Sequence, residues 1–136
     1  MLQFPSYQRN ENSPSIHPIS GGIAIASVPV VKLRKAPVFP LFGSFTVPKK
    51  SASEFHGHLL QAVVILLRGP HPVTRNLGGG ELLFEDDLLE EEERIHGFFN
   101  LDLFAFFNLV EAPNRYRVNV SIFQYLSNVL TVDVVA

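Results

Sequence analysis

The feature that most constrains this chain is a strict period of two near its C-terminus. Tyr116, Val118, Val120 and Ile122 alternate with Arg117, Asn119, Ser121 and Phe123, and Leu130, Val132 and Val134 alternate with Thr131 and Asp133. Successive side chains of a strand point to opposite faces, so both runs read as strands with one face turned to a core. Ser127-Asn128 reads as the turn between them. Ahead of them, Ile95 to Leu109 reads as a third strand. It would carry Phe99, Leu101, Leu103 and Phe107 on one face, and Phe98, Phe104 and Phe106 with Asn100 and Asp102 on the other. The last forty residues thus predict a β-meander.

Upstream, short apolar runs are cut by proline and glycine. Ile23, Ile25, Val30 and Val31 form one group, and Val38 to Val47 another, punctuated by Pro37, Pro40, Gly43 and Pro48. Proline removes a ladder donor, which places these segments at edges or strand ends. Phe45 and Val47 alternate with Ser44 and Thr46, the pattern of a half-buried strand. Within Ser51–Arg68, Ser51 and Glu54 imitate a capping box, but Gly57 and the β-branched run Val63-Val64-Ile65 favour a buried central strand. Many short strands without βα alternation predict an all-β sandwich over residues 21–136. Residues 1–20 are polar and interrupted by Pro5, Pro14 and Pro18. They are expected to form an extended N-terminal tail that lies along another surface or subunit.

The stretch Ala112-Pro113-Asn114-Arg115-Tyr116-Arg117-Val118-Asn119-Val120 resembles the penultimate strand of immunoglobulin-like domains, where a tyrosine near the strand start bonds back to the preceding corner. Ser127-Asn128-Val129-Leu130-Thr131-Val132 is similar to the last strand of the same superfamily. The resemblance covers residues 112–135 and implies an immunoglobulin-like antiparallel β-sandwich. With no cysteine and no tryptophan, the disulfide and the core indole of antibody domains are absent, and no antibody-like role follows.

The missing cysteines also remove Cys-based zinc sites and thiol nucleophiles. A formal charge of −2 argues against a nucleic-acid field. No apolar run reaches the roughly 18–20 residues of a transmembrane helix. The first fifteen residues lack a secretory apolar region, which leaves the compartment open. His56-Gly57-His58 is the candidate metal pair: two residues apart on a strand, both imidazoles face one side and suit copper or zinc, with His71 or His96 as a third ligand. The acidic run from Glu81 to Glu93 lacks the spacing of a calcium loop and is expected to be a solvated loop or short helix.

Glu54, Asp102 and Asp133 are scattered single acids. Asp102 is expected either to pair with Arg115 or Arg117 or to face solvent. Gly78-Gly79-Gly80 is followed by no lysine, so a phosphate loop has no support. An enzyme is therefore not the expectation.

Five phenylalanines between Phe98 and Phe107 give one strand two apolar faces, and Phe98, Phe104 and Phe106 are the candidate interaction surface. Residues 1–80 carry eight basic and two acidic side chains, +6, whereas residues 81–136 carry three basic and eleven acidic, −8. The expected function is a non-catalytic structural or protein–protein interaction module, with a protein partner or a homo-oligomer. The alternatives are a small copper- or zinc-binding protein and a glycan- or lipid-binding module.

Overall fold

The computed structural model describes residues 3–15, 22–50, 59–77, 89–91 and 94–136. In chain order these form β1 (Gly22–Ala26), β2 (Val30–Lys32), β3 (Pro40–Pro48), a 3-10 turn (Leu59–Ala62), β4 (Val63–Arg68), β5 (Pro72–Asn76), β6 (Leu89–Glu91), β7 (Arg94–Asp102), helix α1 (Leu103–Phe107), β8 (Asn114–Ile122), β9 (Tyr125–Leu126) and β10 (Leu130–Val135). One sheet has the order β1-β3-β7-β6, and the other β2-β10-β8-β4-β5 with β9 paired to β8. Every pairing is antiparallel except β2 with β10. The chain is an all-β protein of two facing sheets.

The core lies between them. Ile23, Ile25, Leu41, Phe45, Val47, Phe99 and Leu101 come from the first sheet, and Val63, Ile65, Leu67, Val118, Val120, Ile122, Val132 and Val134 from the second. Two glycines let the central pair of the first sheet carry its rings. Gly43 stands opposite Phe99 and Phe45 opposite Gly97 in the β3–β7 ladder. A Cβ at Gly43 would come 2.0 Å from the Phe99 ring, and one at Gly97 would come 2.1 Å from the Phe45 ring. Each ring therefore lies across the bare backbone of the opposing glycine, a cross-strand exchange that only glycine permits.

Several sequence expectations hold and several are corrected. The alternating runs form β8 and β10, and of the strand expected over Ser51–Arg68, Val63–Arg68 is an interior strand flanked by β8 and β5, Leu59–Ala62 is a 3-10 turn, and residues 51–58 lie outside the described residues. The reversal after β8 occurs at Phe123-Gln124 rather than Ser127-Asn128, because Ile122 pairs with Tyr125 and Phe123 adopts φ 53°. Asn128 instead spans to the other sheet: its Nδ2 donates to the Ile25 carbonyl at 2.9 Å and its Oδ1 accepts from Ile25 N–H at 2.9 Å. Leu89–Glu91, inside the acidic run, pairs with β7 as an edge strand rather than lying in a loop or helix.

The long phenylalanine strand stops early. β7 ends at Asp102, whose Oδ1 accepts from Phe104 N–H at 3.1 Å and caps the five-residue helix, and Asn108 closes it at φ 53°, ψ 51°. Aspartate at the N-cap and asparagine in the left-handed closing position are the residues such termini prefer. The same Asp102 oxygen accepts from Phe39 N–H at 3.1 Å, so this carboxylate is engaged by backbone and pairs with neither Arg115 nor Arg117. Arg115 pairs with Asp133, directly opposite on β10, at 2.7 Å. That hydrogen bond first, and the carboxylate charge second, push the Arg115 pKa up.

Candidate functional site

The N-terminal segment is where the structure departs furthest from the sequence reading. Residues 3–15 lie on this chain's own first sheet, against its outer face. Ser6 pairs with Asn100 as a one-residue bridge on the β7 edge, with Ser6 N–H donating at 3.0 Å and Asn100 N–H at 2.7 Å. Asn100, fully buried, then uses its amide as an anchor. Its Nδ2 donates to the Gln8 carbonyl at 2.9 Å and the Ser6 carbonyl at 3.4 Å, while its Oδ1 accepts from Asn10 Nδ2 at 2.8 Å. Tyr7 enters the core, and Phe4 meets Phe42 with ring centroids 6.2 Å apart.

This cover changes the meaning of β3. Phe42, Ser44 and Thr46 sit on its outward side, yet all three are buried, so the Ser/Thr alternation does not mark a solvent face. Between the tail and the sheet remains a cavity of about 470 Å³, lined among others by Arg9, Ser13, Ser44, Thr46, His96 and Phe98. The Arg9 guanidinium lies 4.8 Å above the Phe98 ring. Thr46 Oγ1 and His96 Nδ1 are hydrogen-bonded at 2.7 Å. Ser44 is 3% exposed, and its Oγ is the one buried side-chain oxygen or nitrogen among the described residues without a hydrogen-bond partner.

The three rings expected on one surface occupy three different surroundings. Phe98 is buried beneath Arg9. Phe104 belongs to the core and meets Phe39 edge-on at 5.8 Å. Phe106, on the short helix, is half-buried under Arg75, whose guanidinium lies 4.6 Å above its ring and donates to the Phe106 carbonyl. Because the strand ends at Asp102, period-two spacing does not carry past it, and the three side chains do not share a face.

His56 and His58 lie outside the described residues. His71 is exposed in the β4–β5 turn of the second sheet and His96 sits on the outer side of the first, so the two offered as a third ligand are on different sheets. Among the described residues no group of three or more His, Cys, Asp or Glu is arranged to hold a metal ion. No helix among them is long and apolar enough to cross a membrane.

Among the described residues, none forms such a cover on the outer face of the second sheet. Its ladders set Val64 beside Ser121, Leu66 beside Asn119 and Thr74, and Arg68 beside Arg117, which continues to Thr131. Val64 and Leu66 are half-buried in the middle, and Arg68, Arg117 and Thr131 are exposed. Two arginines directly opposite on neighbouring strands repel each other unless an anion intervenes. Compared with protein-family models, curated proteins and solved structures, the chain matches none.

Proposed function

We propose that this protein is a non-catalytic interaction module of immunoglobulin-like build whose docking surface is the outer face of the second sheet, and whose partner is a second copy of the chain. The strand order supports the build: β1-β3-β7-β6 against β10-β8-β4-β5 repeats the sequence of strands in the two sheets of a variable-type immunoglobulin domain. The observation that carries the function is the contrast between the faces. The chain covers the outer face of its first sheet with its own N-terminal segment, and among the described residues none covers the other, with Val64 and Leu66 at its centre and the Arg68–Arg117 pair beside them. Apolar residues ringed by polar ones, next to two cations opposite each other, suit a partner that brings apolar surface and carboxylates. A second copy offers both, since residues 81–136 carry −8 against +6 in residues 1–80.

Size-exclusion chromatography with light scattering, over a range of protein and salt concentrations, tests this reading. The expected result is a dimer that weakens with salt, and that Leu66→Glu weakens by roughly a hundredfold by burying an unpaired charge, while unfolding stays cooperative. A chain that remains monomeric throughout, or a folded Leu66→Glu chain that associates as before, overturns it.

A further inference from the structure

We infer that the cavity between the N-terminal segment and the first sheet is a binding site for a small organic anion, a carboxylate or phosphate ester of a few carbons. This site lies on the other sheet from the proposed docking face and does not depend on it.

Three observations converge. The first is an unmet polar group. Ser44 lines the cavity, and its Oγ, buried on the outward side of β3, has no hydrogen-bond partner among the described residues. A buried hydroxyl left unpaired costs free energy that a ligand atom or an ordered water recovers. The second is size. About 470 Å³ falls within the roughly 300–1,000 Å³ of small-molecule pockets, many times the space of one water.

The third is the sign of the lining. Among the described residues around the cavity there is a guanidinium and no carboxylate. The Arg9 guanidinium lies 4.8 Å over the Phe98 ring beside the cavity, and its N–H donors suit a planar oxyanion. Ser13 Oγ accepts from Asn10 N–H at 2.9 Å and keeps its own proton to donate. Asn10 is spent on structure: Nδ2 holds Asn100, and Oδ1 accepts from Asn12 N–H at 2.7 Å. The loop carrying Arg9 and Ser13 is therefore pinned, which keeps the ordering cost of binding low. Donors from the tail and from β3 thus converge on one volume, and what they need is an acceptor bearing negative charge.

The chain of residues 1–136 is titrated with citrate and with inorganic phosphate, with glucose as a neutral control, and followed by thermal melting and calorimetry. At least one of the two anions is expected to raise the melting temperature saturably, as a ligand of the native state must. Ser44→Ala and Arg9→Gln are each expected to weaken that anion about tenfold, the loss of one hydrogen bond to a charged group. Arg117→Gln, on the other sheet, is expected to leave binding unchanged. Ser44→Ala removes an unpaired oxygen and Arg9 is exposed, so both variants are expected to fold. The proposal fails if neither anion gives a saturable shift, if Ser44→Ala binds as the parent chain does, or if glucose binds as tightly. In the first case the Ser44 hydroxyl is satisfied by water.

Discussion

The two sheets share one core yet treat their outer faces in opposite ways. On the first, Phe42, Ser44, Thr46, Phe98 and Asn100 are all buried beneath residues of the N-terminal segment. On the second, Arg115, Arg117 and Thr131 reach solvent, and the apolar Val30, Val64, Leu66 and Leu126 stand among polar residues. The difference is one of chain, not of strand chemistry. A sheet with a segment to spare becomes a three-layer element and can place a large ring such as Phe98 outward. A sheet without one must keep its outer side wettable or find its cover elsewhere.

By this contrast, removing the cover costs far more than altering the outer face of the second sheet. Deleting residues 1–15 strips Tyr7 from the core and uncovers Phe42 and Phe98 together; a stability loss of at least about 3–5 kcal/mol is expected in urea unfolding, the usual loss for one large buried ring. A truncated chain as stable as the parent would show that the tail merely rests on the sheet. Asn100→Ala isolates the anchor, leaving the Gln8 carbonyl and the Asn10 amide without their partner, while Ser6 keeps its backbone bonds to residue 100. A loss of about 1–3 kcal/mol is expected, with amide exchange rising first at Ser6. Asn119→Ala, its counterpart on the open face, should change the unfolding midpoint by no more than about 0.5 kcal/mol. A larger loss there would mean that the second sheet is also covered.

Sequence patterning made the second sheet legible and the first much less so. β8 and β10 announce themselves because one face is wet, and a wet face writes polar residues at every second position. β7 and β3 have both faces covered, so Phe98 and Phe99 or Ser44 and Phe45 carry no information about which way each points. The stop at Asp102 was readable in principle, since an aspartate and an asparagine bracket Leu103–Phe107 as helix caps. The run of rings around it matched strand spacing too well for that signal to win.

The cavity was beyond sequence reading. Arg9, Ser13, Ser44 and His96 come from three separate segments with no fixed spacing, and what brings them together is the docking of a tail whose composition suggests a linker.

The short parallel ladder of β2 on β10 has a mechanical consequence. β10 runs to within one residue of the C-terminus, and β2 is tied to it by Asp133 N–H to the Pro29 carbonyl at 3.0 Å and Leu33 N–H to the Val135 carbonyl at 2.8 Å. Pulled between residue 3 and residue 136, this stretch first sheds the N-terminal segment, whose one-residue bridge at Ser6 opens alone. The load then meets β1 on β3 and, once that ladder opens, two strands pointing the same way, which must slide along each other. Their bonds are strained together rather than unzipped in turn, so the grip of these few residues, and not the hairpins around them, sets the force at which the sheets part.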